Sequence, residues 1–422
     1  MTDTLEATDM SQISRTWGRK SSFWVAAAVV VHTLWTSAAP AMMYPLYAHQ
    51  WQLTPTVTTL IFAVFPVFVV ATLIALGDLS DYIGRRAAML WGLTASLIGV
   101  LLFAVAPDVT WLLVGRAFMG IGVGLSAGPS AAAVVEFSAP GKARLAGAIT
   151  TAAQAFGLAA ALTMGGGLIQ YAPFPTRLSF WVLVVVLVAT LAGVWHLPRH
   201  TKAESSKCWS LKLPQIHKPL RRVFLVSVSA VLSAYSVGAT MLSLGSQIAH
   251  DLIGSSNALV NGGAISLFAI LVGFTGIVAK RFSSRLSIIA GASFSIASLL
   301  LLMLATATHA LPVFLLSSAA SGAGYSLLFM GGLNLINAHA PMHHRAGTLS
   351  ALFLVAYLMQ GVVAMLLGRA ATAWGLDLAI DVGSLALAGL SLGAMLLAIF
   401  VREPQKLPVD QPVSSAQPEA GR

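Results

Sequence analysis

The sequence predicts an all-α integral membrane protein with twelve transmembrane helices arranged as two six-helix pseudo-repeats. Three observations carry that prediction. Of its 422 residues, 57% are hydrophobic and only 9% charged, where a soluble domain has about a quarter charged. Apolar runs of roughly 20 residues, the length that crosses a hydrocarbon core, recur from one end of the chain to the other. Short landmarks of the first half also return in the second.

Residues 1–22 form a polar tail with Arg15, Arg19 and Lys20. The first run, Phe23 to Tyr44, follows basic residues as a signal peptide would. Its length and the runs behind it mark it instead as an uncleaved first span. Next come Thr56 to Leu76, Ala87 to Ala106, Trp111 to Val135, Leu145 to Ile169 and Leu178 to Leu197, which complete a first half over residues 23–197. The linker, 198–222, has soluble-protein polarity, three prolines (Pro198, Pro214, Pro219) and several lysines, and reads as a tether. The second half, 223–400, holds Val223 to Ile248, Leu259 to Ala279, Leu286 to Ala305, Leu311 to Ala338, Ala346 to Ala370 and Ala379 to Phe400. A polar tail, 401–422, follows. Pro40 and Pro45 bracket the outer end of the first span and either bend it or end it.

Charge placement sets the expected orientation. Of the 24 Lys and Arg residues, all but Arg116, Arg177 and Arg369 fall on the side that holds the N-terminus. Cytoplasmic loops carry such an excess, so both termini and the linker are predicted cytoplasmic, in a plasma membrane such as a bacterial inner membrane. The net charge of +10 is thereby explained by topology, and no nucleic-acid partner is expected. The single cysteine, Cys208, excludes an intrachain disulfide, and no cluster of residues suggests a metal or other cofactor. Clustered nucleophiles and bases are absent as well, which argues against an enzyme.

The repeat is visible without reference to any other protein. Ala139-Pro140-Gly141-Lys142-Ala143-Arg144, followed by Ala146-Gly147, returns as Ala340-Pro341-Met342-His343-His344-Arg345 followed by Ala346-Gly347. Gly120-Ile121-Gly122 of the fourth span has a counterpart in Gly322-Ala323-Gly324 of the tenth. Gly276, Lys280, Arg281 and Arg285 echo Gly77, Asp81, Tyr82 and Arg86, without the carboxylates.

The densest polar interruption between spans is Gly77-Asp78-Leu79-Ser80-Asp81-Tyr82-Ile83-Gly84-Arg85-Arg86. Its glycines allow a sharp turn and close helix approach. Asp81 follows a helix C-terminus, where the dipole disfavours an anion, so it should seek a cation or another helix's N-terminus. Arg85, Arg86 and Arg345 are the available partners. This stretch resembles the loop between the second and third helices of the major facilitator superfamily of transporters. Arg116-Ala117-Phe118-Met119-Gly120-Ile121-Gly122-Val123-Gly124 resembles that family's fourth-helix motif.

The resemblance implies alternating access and a cytoplasmic latch built from Gly77, Asp78, Asp81, Gly84, Arg85 and Arg86, with Glu136 and Arg144 joining the charge network. It also implies that Arg116 serves proton coupling or substrate charge. Read from the residues alone, Arg116 is a charge inside a span that either faces a cavity or partner or snorkels outward. Gly120, Gly122 and Gly124 allow close packing. In the fifth span Gly157, Gly165 and Gly166 match the glycines of the family's antiporter pattern, while its proline is missing.

No Asp or Glu lies mid-span, so a proton must use another group. His32 is the first candidate and packing its alternative. Asp381 joins if the twelfth span begins earlier than Ala379. Candidate substrate contacts are Trp35 and Tyr44 in the first half and Tyr235, Tyr325, Asn334, Asn337, Tyr357 and Gln360 in the second. The amides are costly to expose to lipid, while single aromatics also serve as packing or interfacial anchors. The set suits a small amphipathic or drug-like solute. The expected function is proton-coupled export by a monomer, with uptake or exchange of an organic anion at Arg116 as the alternative. A membrane receptor or sensor is the reading from another class, and no large signalling segment supports it.

Overall fold

In the computed structural model, residues 17–77, 79–198, 220–340 and 342–400 are described, with the side chains at 81, 143, 144, 280 and 342–346 left out. Asp78, Cys208 with the rest of 199–219, and residues 1–16 and 401–422 of the tails therefore lie outside the described residues. So do the side chains of Asp81, Arg144 and Arg345.

Among the described residues, twelve helices are long and apolar enough to cross a membrane. They are α1 Arg19–Ala38, α2 Pro55–Leu76, α3 Arg85–Val105, α4 Val109–Glu136, α5 Ala143–Tyr171, α6 Leu178–Trp195, α7 Arg221–Gln247, α8 Ala258–Val278, α9 Ser284–Thr308, α10 Leu311–His339, α11 Met342–Trp374 and α12 Leu376–Phe400. The end of the bundle where α1 begins is called the tail face, and the opposite end the far face. No strand occurs among the described residues, as expected where only helices satisfy their own backbone in lipid.

Local chemistry sets the ends. Asp108 caps α4 by accepting from the Thr110 amide at 2.8 Å, and Asn257 caps α8 by accepting from Val260 at 3.1 Å. Gly84 has φ +86, a left-handed conformation, and joins the short helix Leu79–Ile83 to α3. Gly77 has φ −57 and simply continues the helical path. Of the two loop glycines, only Gly84 makes the expected turn.

The first span differs from expectation. Its helix stops at Ala38, because Pro40 has no N–H to extend the ladder. The chain turns through Ala41 N–H to Ala38 O at 2.9 Å and re-enters a short helix, Tyr44–Trp51, with Pro45 in its first turn. At the other end of the chain α12 begins at Leu376, three residues before the expected start, which places Asp381 inside the helix.

The helices form two bundles whose internal contacts repeat. In the first, α3 packs on α4, α2 on α4, α1 on α5 and α3 on α6. In the second, α9 packs on α10, α8 on α10, α7 on α11 and α9 on α12. Small residues make the close approaches possible where lipid offers no hydrophobic drive between helices. A Cβ on Gly120 would sit 2.6 Å from the Phe65 carbonyl of α2, while one on Gly122 would sit 2.5 Å from the Gly92 carbonyl of α3. The alternate glycines thus serve two neighbours. Gly322 and Gly324 do the same toward α8 and α9.

Between the bundles, α5 packs along α8 and α2 along α11. A Cβ on Gly262 of α8 would lie 2.4 Å from the Leu162 carbonyl of α5. Gly262→Val is therefore expected to cost about 1–3 kcal/mol through overpacking, and to lower the thermal midpoint in detergent. An unchanged midpoint would show that the seam yields freely. Exposed Trp91 and Trp195 near the tail face, with Trp374 and Tyr171 near the far face, supply the aromatic belts of a bilayer-spanning protein.

Candidate functional site

Arg116 is fully buried on α4. An unpaired charge at that depth would be costly, and the sequence supplies its partners through two prolines. Pro66, inside α2, has no N–H, so the Phe62 carbonyl four residues earlier loses its helical donor. At the end of α1, the Ala41 N–H turns to Ala38 and leaves the Ser37 carbonyl unclaimed. Arg116 reaches both. Its Nη2 donates to Phe62 O at 3.4 Å, Nη1 to Ser37 O at 2.9 Å and Nε to Ile61 O at 3.2 Å. The guanidinium also lies over the Phe65 ring, 4.5 Å from its centre, a cation–π contact. One side chain therefore joins α1, α2 and α4 near the far face.

At the tail face, Arg85 pairs with Glu136 at the end of α4. Arg86 donates to the Trp195 carbonyl at the end of α6 and lies 5.7 Å from the Trp195 ring centre. The second half repeats this device, with Arg285 donating to the Ile399 carbonyl near the end of α12. Each arginine meets the carbonyl end of a helix, where a cation is favoured. Arg19 adds bonds to the Phe137 and Ser138 carbonyls.

His32 is fully buried. Its Nδ1 lies 2.6 Å from Val29 O and its Nε2 lies 3.3 Å from the Ser96 hydroxyl of α3. Both ring nitrogens are engaged within the first bundle. Trp35 and Tyr44 are also buried there. Gly157 approaches the Val31 carbonyl of α1, and Gly166 the Ala258 carbonyl of α8, while Gly165 faces Met42.

The second half gathers its aromatics. Tyr235 of α7 stands 5.8 Å from Tyr325 of α10 and 5.2 Å from Tyr357 of α11, measured between ring centres. Phe329 stacks on Tyr325 at 6.2 Å, and Phe268 meets the same ring edge-on at 5.6 Å. Tyr325, Phe329 and Tyr357 are half-buried. Gly361, one turn beyond Tyr357 on α11, faces Ala63 and Pro66 of α2. The cluster therefore borders the seam between the bundles. Asn334, Asn337 and Gln360 are half-buried on the same two helices, α10 and α11.

At the far face the bundles are bonded to each other. Thr56 and Thr372 hydroxyls lie 2.8 Å apart, Ser246 donates to Ala41 O at 2.7 Å, and the Ala258 amide donates to Gln170 at 2.8 Å. Deeper in the seam Thr163 and Ser266 hydroxyls meet at 2.7 Å. The sequence reading missed Pro66, Phe268 and Phe329. A proline in mid-span was the available sign for the first, since its missing N–H frees a carbonyl four residues back.

Comparison with known proteins agrees with this architecture. The family model described as Major Facilitator Superfamily matches residues 24–363. A multidrug efflux pump, LfrA of Mycolicibacterium smegmatis, is 30% identical over 174 residues, a stretch covering 40% of this chain and 34% of the pump. Among solved structures, a bacterial homolog of the human lysosomal transporter Spinster, inward-facing and unoccupied, superposes with a TM-score of 0.70 at 14% identity, covering 90% of this chain and 97% of that one. The peptide transporter POT in complex with sulfate gives 0.74 at 15% identity, covering 90% and 94%. These structural likenesses establish the fold. Twelve spans in two repeated bundles, the matched family model and the shared fold place this chain in the Major Facilitator Superfamily of membrane transporters.

Proposed function

We propose that this chain is a proton-coupled exporter of a small amphipathic or drug-like compound, working by alternating access. It works as a monomer in a bacterial inner membrane with both termini in the cytoplasm. The observation that carries the reading is the aromatic cluster of Tyr235, Tyr325, Tyr357 and Phe329 beside the seam between the bundles. Aromatic walls with hydroxyl tips hold an amphipathic solute by stacking and a few hydrogen bonds. The resemblance of part of the chain to a multidrug efflux pump supports export. The organic-anion alternative gains no support from Arg116, whose three nitrogens already donate to carbonyls.

For coupling, Asp381 and His32 remain the groups to test, Asp381 being half-buried inside α12 and His32 sealed in the first bundle. The latch reading is retained as a proposal. Asp81, Arg144 and Arg345 would extend the Arg85–Glu136 pair at the tail face.

The test is dye-reported proton movement in energised inverted vesicles, challenged with lipophilic cations, neutral drugs and organic anions. Proton release driven by an amphipathic compound is expected. Tyr235→Ala and Tyr357→Ala should each weaken its apparent affinity by about tenfold, Asp81→Asn should slow turnover, and Asp381→Asn or His32→Ala should uncouple it. Gradient-driven anion uptake without proton movement would retire the export reading.

A further inference from the structure

We propose that the residues leading into the first helix, Trp17 to Arg19, form a strap that positions the tail-face latch, a role that rests on the latch reading. Arg85 and Arg86, at the start of α3, hold two helix ends. Arg85 pairs with Glu136, the last residue of α4, and Arg86 donates to the carbonyl of Trp195, the last residue of α6. The strap reaches the same two ends. Trp17 donates its backbone N–H to the His196 carbonyl at 3.0 Å and its indole Nε1–H to the Gly193 carbonyl at 3.0 Å. Its ring stands edge-on to His196, 5.9 Å between centres. Arg19 donates from Nε to the Phe137 carbonyl at 3.3 Å and from Nη2 to the Ser138 carbonyl, the two residues that follow Glu136.

The needs of α1 by itself do not call for this arrangement. Arg19 is the first residue of that helix, whose first turn holds no acidic residue, and the positive end of a helix disfavours a cation. The guanidinium is met instead at the carbonyl end of α4, where a cation is favoured. Gly18, extended with φ −65 and ψ 162, takes the chain off the path of α1, and the Ser22 hydroxyl donates to the Trp17 carbonyl at 3.3 Å. Carbonyls at a helix end need outside donors. At the end of α6, Ala192 O accepts from the His196 ring, Gly193 O from Trp17 and Trp195 O from Arg86. Strap and clasp thus serve one helix end together.

Where Glu136 stands relative to Arg85 depends on the backbone just beyond it, which Arg19 grips. Trp17 does the same for the carbonyl end that Arg86 meets. Both are positioning residues, acting through Glu136 and Arg86. The strap sets how firmly the latch closes, and its release favours the state in which the tail face parts and the far face stays joined. Trp17 and Arg19 are exposed, so the strap can be altered without disturbing the packed interior.

The test reads the far face and needs no substrate. Full-length chains with Thr56→Cys and Thr372→Cys in a Cys208→Ser background are oxidised slowly. The rate of cross-linking reports how much of the time the far face is joined, since the two threonine hydroxyls lie 2.8 Å apart across the seam. Glu136→Gln, which breaks the latch pair, should speed cross-linking, and Arg19→Gln and Trp17→Ala should each speed it about threefold. Arg19→Lys keeps a charged donor and should restore part of the parent rate. Positioning has a signature in non-additivity. Arg19→Gln should change nothing further in a Glu136→Gln chain, and Trp17→Ala nothing further in an Arg86→Gln chain, whereas a strap that only supported the fold would act in both. Strap variants that cross-link at the parent rate while Glu136→Gln speeds it, or effects that simply add, overturn the strap and leave the latch standing. A parent rate in the Glu136→Gln chain retires the latch, and the strap's role with it.

Discussion

Oxidising a chain with Thr56→Cys and Thr372→Cys, in a Cys208→Ser background, is expected to bring transport down to background, and reductant to restore it. The two threonine hydroxyls lie 2.8 Å apart across the α2–α11 seam, so cysteines there fall within reach of the roughly 3.5–4.5 Å Cβ separation a disulfide needs. Thr372 is exposed at the far face and Thr56 half-buried beside it, which leaves the pair open to oxidant. Alternating access requires this end to part once per cycle, and a covalent bond across it forbids that. The single-cysteine chains should transport normally under the same oxidant. If the cross-linked chain turns over at the uncross-linked rate, the bundles do not separate at Thr56 and Thr372.

The second large effect is expected at Arg116. Arg116→Gln removes the donors that hold the Ser37, Ile61 and Phe62 carbonyls together. Each buried acceptor left unpaired costs about 1–3 kcal/mol, so the substitution should lower the thermal midpoint in detergent sharply and abolish transport. Arg116→Lys keeps the charge but cannot span three carbonyls, and should fall between the two. Pro66→Ala supplies the N–H that Phe62 lacks, so in the Arg116→Gln background it should return about 1 kcal/mol, while costing or gaining little by itself. That non-additivity is the signature of a shared carbonyl. An Arg116→Gln chain as stable as the parent, with anion-dependent transport lost, would instead assign the guanidinium to substrate.

The proposed alternating access would find its rigid units in the two bundles. Arg116 fastens α1, α2 and α4 inside one bundle, and Arg86 and Arg285 fasten the last helix of each half to its neighbours. The bonds named between the bundles, such as Ser246 to Ala41 and Thr56 to Thr372, join neutral groups without an arginine. Hydrogen bonds between membrane helices average roughly 0.6 kcal/mol. Rigid halves joined by a weak seam are what a rocking motion needs.

Much of this was readable in the residues themselves. The twelve spans follow from hydropathy and length because a helix in lipid must satisfy its backbone locally. The echo of Arg86 in Arg285 was visible in the repeat, and both arginines meet the end of their half's last helix. Arg116 stood out as a charge within a span. The break at Pro40 was also available, since proline removes a donor wherever it occurs, yet the apolar run past it suggested a longer first helix.

Tertiary structure decided the rest. Composition could not say that the carbonyls meeting Arg116 would be those released near Pro66 and Pro40, because three helices distant in sequence must cross at one point. Tyr235, Tyr325 and Tyr357 were each ambiguous alone, and only the packing of α7, α10 and α11 brings their rings within 6 Å of Tyr235. The meeting of Trp17 with His196 and of Arg19 with Ser138 had no sequence sign at all, since these residues share no motif. Hydropathy and proline act along the chain and are legible there, whereas the meeting of helix faces depends on contacts between distant segments that no local pattern encodes.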